Sequence, residues 1–173
     1  MAIALYDISI ACYRQALGGV AGFLEKGLAH CEQKKIDPDG IVQTRLYPDM
    51  LPFSFQIHSV AHHSLGAIKG VESGVFTPPK DLPELDYAGL QDKIAETLEA
   101  LGAYTPAQVN AWEGRDMVFQ IGDRKVPFTA EDFVLSFSLP NVHFHAATAY
   151  DILRIKGAPL GKRDFMGSLR TKA

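Results

Sequence analysis

Residues 50–71, MLPFSFQIHSVAHHSLGAIKGV, set Phe53, Ile57, Val60, Ala61, Leu65 and Ile68 on one side of a winding chain. That spacing is the one an α-helix needs to lay an apolar stripe on a core. Asp49 just ahead can accept hydrogen bonds from the free first-turn amides, and Pro52 in that turn has no intrahelical bond to lose. The spacing predicts a helix from Met50 to Val71. Beside the stripe, Ser59, His63, Gly66, Ala67 and Gly70 form a ridge of small side chains where a neighbouring backbone can approach.

Three more stretches carry the same period. Leu5, Ile8, Cys12, Ala16, Val20, Phe23, Gly27 and Cys31 recur every three or four residues and predict a helix over 3–34. Gly18, Gly19 and Gly22 weaken it by about 1 kcal/mol each relative to alanine, a loss that close contact with a neighbouring helix would offset. Asp37-Pro38-Asp39-Gly40 ends it with turn chemistry. A third helix starts near Leu85 with Tyr87, Leu90, Ile94, Leu98 and Leu101 on one face and stops at Gly102. A last one runs over 140–156, where Gly157 and Pro159 stop it.

Shorter signals fill the gaps. Thr105-Pro106 reads as an N-cap followed by proline at the first helical position. Met117 to Ile121, the turn Gly122-Asp123 and Lys125 to Phe128 read as a two-stranded hairpin. Thr129-x-x-Asp132 resembles a capping box, and Ser138 and Pro140 mark a kink before the last helix. Ser73 to Pro83, rich in Pro, Gly and Thr, reads as an extended connection. The expected fold is therefore all-α: an antiparallel four-helix bundle with a small β-hairpin insertion near 117–128.

A chain of 173 residues, 47% hydrophobic, buries one sizeable core, so a single domain over 1–173 is expected. Its 17 basic and 20 acidic residues are scattered, leaving no electrostatic footprint for nucleic acid or an anionic membrane. No stretch approaches the roughly 20 apolar residues a membrane span requires, and Met1 to Asp7 lacks the basic region and apolar run of a leader. A soluble, cytoplasmic protein is expected. Cys12 and Cys31 on one helix would stand roughly 28 Å apart, too far to pair.

Chemistry concentrates in the histidines. Five of six occur in two short stretches, His58-x3-His62-His63 and His143-x-His145. Imidazole is the commonest metal ligand, and His58 and His62, four apart, rise from one side of a helix; His63 is turned about 100° away. His145 shares the stripe of Val142, Ala149 and Leu153, whereas His143 points elsewhere. Against this stands the plain alternative that such histidines serve packing and hydrogen bonding. The pattern His-Glu-x-x-His of zinc proteases is absent, as are a phosphate loop, a Gly-x-Ser-x-Gly elbow and a Cys-x-x-Cys pair. Cys12 and Cys31 fall on the apolar stripe, where a thiol behaves as a small hydrophobe. Glu131 and Asp132 suit the favourable charge of a helix start.

Two stretches carry a family resemblance. Arg45 to Pro52 (RLYPDMLP), and Pro140-Asn-Val-His-Phe-His145 leading through Thr148-Ala-Tyr150 and Leu153-Arg154 to Gly161-Lys-Arg-Asp-Phe165, resemble an uncharacterised bacterial family of DinB-like proteins within the DinB/YfiT-like superfamily of metalloenzymes. The resemblance implies an up-and-down four-helix bundle, often paired as a homodimer. It also implies a divalent ion such as nickel or zinc held by histidines of the second and fourth helices, and for some members thiol-dependent transferase or isomerase activity. His145 matches the family's Phe-His position and His63 a helix-two histidine, while Ala149 replaces the second histidine of His-x3-His; His58 and His62 are the available substitutes. Arg154, Lys162 and Asp164 are expected to tie the tail to the bundle. Tyr150 is expected beyond the ligands.

Two functions follow. In the first, His58, His62, His63 and His145 hold nickel, zinc or iron, whose open position activates water or a thiol for hydrolytic or transfer chemistry. In the second, a metal-free bundle binds a small apolar molecule or pairs with itself.

Overall fold

The computed structural model describes residues 3–172; Met1 and Ala2, at the head of the segment read for a leader, and Ala173 lie outside the described residues. The expected first helix is divided into α1 (Leu5–Ile8) and α2 (Ile10–Lys34). Ser9 causes the break: its backbone leaves the helical region at φ −110° and ψ −88°, and its buried hydroxyl donates to the Leu5 carbonyl at 2.5 Å. The expected turn after α2 contains one helical turn, α3 (Asp39–Val42).

The second helix begins at α4 (Phe53–Ala61), later than the spacing predicts, because the Phe53 amide donates to the Thr44 carbonyl at 2.8 Å. Pro52 is the N-cap residue, so Asp49 is not. A π-helical turn, π1 (His62–Gly66), then leads into α5 (Ala67–Ser73). Ser64 stabilises this wide turn by donating to the carbonyls of Val60 and Ala61 at 2.7 and 3.1 Å. The connection that follows holds a short strand, β1 (Val75–Phe76), which periodicity does not reveal.

Asp86 caps α6 (Tyr87–Gly102) by accepting from the Gly89 amide, and Thr105 with Gln108 forms the box that opens α7 (Pro106–Asn110). The hairpin is present as β2 (Asp116–Ile121) and β3 (Arg124–Thr129), paired antiparallel with Met117 opposite Phe128. β1 joins its free edge in parallel, making a three-stranded sheet. Thr129 accepts from the Asp132 amide to start α8 (Ala130–Phe133), as expected. No break follows: a second π turn, π2 (Val134–Ser138), carries the chain directly into α9 (Leu139–Ile155). The wide turn, rather than a kink, accommodates Pro140, which has no N–H to contribute.

The protein is mostly helical with a small sheet. α2 packs on α6 and α9, and α4 packs on the same two helices. Tyr13, Leu17, Val20 and Phe23 of α2 are buried with Phe53, Ile57, Leu90, Ile94, Val142 and Leu153 in a connected apolar core. Burying each such side chain contributes about 1.5–3 kcal/mol against leaving it exposed. Of the three clustered glycines only Gly19 meets the expectation of close contact: a Cβ there would stand 2.4 Å from the Phe165 carbonyl oxygen, whereas Gly18 and Gly22 face open space. Gly19 thus seats the last helix, α10 (Lys162–Met166), on α2.

Lys26 of α2 secures the tail through an ion pair with Asp164 at 2.5 Å, the role expected of Lys162. Arg154 donates to the Ala158 carbonyl at 2.9 Å. Tyr150 packs on Phe23 and Phe165, an apolar duty within this seam. Among the described residues no helix is long and apolar enough to cross a membrane.

Candidate functional site

The two π turns face one another, and their side chains line a pocket of about 460 Å³. α4 and π1 contribute Phe55, Ser59, His62 and His63; β1 and the loop after it contribute Phe76, Pro78, Pro79, Lys80 and Leu82. Phe119 comes from β2, and Phe137, Asn141 and His145 come from π2 and α9. Such turns often occur at functional sites, because one extra residue redirects the side chains around it. The hairpin closes the site from one side, with the Phe119 and Phe137 rings 4.6 Å apart.

Three of the four expected histidines meet here. The His63 and His145 rings lie 5.7 Å apart and nearly parallel at 16°, and His62 is 5.6 Å from His63 at 76°. His58 is turned elsewhere: its Nε2 meets the Pro83 carbonyl at 3.0 Å, and it lines a neighbouring acidic groove with Asp39 and Asp86. His143 shares a small separate cavity of about 210 Å³ with Cys12, Phe165 and Met166. Cys12 is half-buried rather than buried; Cys31 is fully buried, and burial pushes its thiol up, away from nucleophilic use. Glu131 accepts from the Gly114 amide, a structural duty.

Burial keeps the clustered imidazoles neutral. Loss of water, reinforced by neighbouring His145 and His62, lowers the His63 pKa to about 3, and burial lowers that of His145 to about 4. His62 is lowered by burial too, against an opposing hydrogen bond from its Nε2 to the Thr77 carbonyl at 2.9 Å. Neutral imidazole is both a metal-ligand form and a hydrogen-bonding group for an uncharged molecule.

The donor set is chemically suited to a divalent ion, and His63 Nδ1 is buried without a partner. The arrangement is less suited. The His63 and His145 rings are near-parallel neighbours, and His62, at 76° to His63, already has its Nε2 bonded to the Thr77 carbonyl. Among the described residues no three His, Cys, Asp or Glu side chains group to hold a metal.

One residue that periodicity passes over fixes the site. Gln56, buried in the apolar stripe of α4, accepts at Oε1 from His145 Nδ1 at 2.7 Å and donates from Nε2 to the Leu51 carbonyl at 2.7 Å. A polar side chain within a buried stripe is the signal that finds it. The phenylalanines of the walls have no such signal, because they come from four separate segments.

The profile of a family described as Domain of unknown function (DUF1993) matches residues 5–166. The chain belongs to the DUF1993 family. This DUF1993 chain is also similar to a solved structure, the crystal structure of a DinB family member protein from Shewanella denitrificans. The two are 26% identical, the likeness covers 98% of this chain and 95% of that one, and the TM-score is 0.82. The DinB-like resemblance read at Pro140 to His145 is thereby borne out. No curated protein matches.

Proposed function

We propose that this DUF1993 chain is a small-ligand-binding protein whose pocket takes a flat, mostly apolar molecule between the phenylalanines and the neutral histidines. The observation that carries this is one enclosure combining Phe55, Phe76, Phe119 and Phe137 with three uncharged imidazoles and no carboxylate. Its volume falls within the range of small-molecule pockets, with apolar walls and few polar groups to orient a guest. The proposed frame is one domain, an up-and-down four-helix bundle; the packing of α2 and α4 against both α6 and α9 supports it.

Ligand-observed NMR with toluene as probe tests the reading. Saturation transfer to toluene is expected from the wild type and is expected to weaken in Phe119→Trp, which narrows the chamber. Equal transfer in both proteins, or none in the wild type, overturns it.

A divalent ion is the second reading, favoured by the His145 to Gln56 hydrogen bond, since metal-bound imidazoles are commonly held by such a bond at the far nitrogen. His62, His63 and His145 would be the donors of nickel, zinc or iron. Metal analysis of untagged protein purified from supplemented medium is expected to show about one equivalent, lost in His145→Ala. Background metal in the wild type sinks this second reading without touching the first.

A further inference from the structure

The orientation of the Gln56 amide follows from its neighbours. A backbone carbonyl only accepts, so the amide atom 2.7 Å from the Leu51 carbonyl is the nitrogen. The oxygen therefore faces His145, and an amide oxygen also only accepts. The atom it meets at 2.7 Å, His145 Nδ1, must bear the hydrogen. In a neutral ring the lone pair then resides on Nε2, on the far edge. Among the described residues Nε2 has no hydrogen-bond partner, and His145 lines the pocket.

A second wall group points the same way. Asn141 uses its amide nitrogen on the Phe137 carbonyl at 2.7 Å, which leaves its oxygen as the group free to serve the pocket. Both orienting groups on α9 thus accept hydrogen bonds. Lys80, the cation of the lining, is solvent-exposed. At these two groups a guest that only accepts would set lone pair against lone pair, and an anion would add the cost of leaving water.

We propose that Gln56 is a positioning residue that locks His145 in its Nδ1–H form, so that Nε2 selects a neutral hydroxyaromatic guest that donates to it. This rests on the small-ligand reading of the same pocket and names the class of molecule. The aromatic body packs on Phe55, Phe119 and Phe137 while the hydroxyl meets His145.

Phenol, anisole and toluene, compared by NMR titration in the presence of a chelator, separate the two claims. Phenol is expected to bind about tenfold more tightly than anisole, which keeps the oxygen but has no hydrogen to donate; a lost buried hydrogen bond has effects of this order. Equal binding of all three overturns the donor selection and leaves the small-ligand reading standing. Binding of none overturns both.

Nitrogen-15 spectra of the histidines at neutral pH read the tautomer without any guest. His145 is expected to show protonated Nδ1, bonded to the Gln56 acceptor, and bare Nε2 in the wild type. In Gln56→Met, which removes that acceptor, mixed tautomers and loss of the phenol preference are expected. A wild-type His145 protonated at Nε2, or one whose tautomer ignores Gln56→Met, overturns the role of Gln56.

Discussion

Ser138→Ala is expected to lower the unfolding free energy by about 3 kcal/mol, the sum of two buried polar groups left without partners at about 1–3 kcal/mol each. Ser138 is fully buried where π2 meets π1, and its hydroxyl donates to the His63 carbonyl. Having spent its hydrogen there, it accepts from the Tyr13 hydroxyl at 2.6 Å. Tyr13 is itself completely buried, and burial holds its pKa far above the usual phenol range, so it remains a donor. Alanine orphans both the tyrosine hydroxyl and the carbonyl. Tyr13→Phe removes only the outer donor and is expected to cost about 1 kcal/mol. Because the double variant no longer carries an orphaned phenol, its loss is expected to fall short of the sum. Urea unfolding of the four proteins checks this; additive losses, or a neutral Ser138→Ala, would remove the relay from the account of the fold.

The second large effect is a dependence on acid. His63 and His145 titrate near 3 and 4 in the folded chain and near 6.5 when unfolded. Between these values the unfolded chain binds more protons, so stability falls as pH drops below about 6.5 and levels off near the folded values. Burial lowers His58 and His62 as well, which acts in the same direction. From pH 7 to pH 5 the two strongly shifted rings are expected to remove about 2–4 kcal/mol, at up to ~1.4 kcal/mol per group per pH unit. His63→Phe keeps a ring against Phe76 and Phe137 while removing one titrating group. Its stability should therefore decline less steeply with acid. Chelator-treated protein unfolded in urea at several pH values gives both slopes, and identical slopes would contradict the neutral buried state of His63.

The helical segments were legible because a period of 3.6 is written in local spacing: Val20, Ile57 and Ile94, each from a predicted stripe, are all in the core. The hairpin was legible from Gly122-Asp123 and its flanking strands. β1 was not, since a two-residue strand has no period and exists only by pairing with β2. Nor were the π turns, whose cause is tertiary: serine and asparagine hydroxyls and amides serving displaced carbonyls. At the site, His63 was linked to His145 by the family resemblance rather than by periodicity, and their rings are neighbours; the i, i+4 spacing joined His58 to His62, but His58 turns to the Pro83 carbonyl instead. Gln56 lay in plain view as a polar residue among buried ones, but its partner is remote in sequence, and only folding joins them.

Each wide turn also acts as a phase adjuster. Were π1 to wind into ordinary helix with all its residues kept, α5 would rotate by about 100° relative to α4. Ile68 and Val71, now buried, would swing toward water, while the histidine face stayed where it is. The wide turn thus takes up one residue more than a straight helix of the same span would hold, and so keeps the buried side of α5 turned to the core.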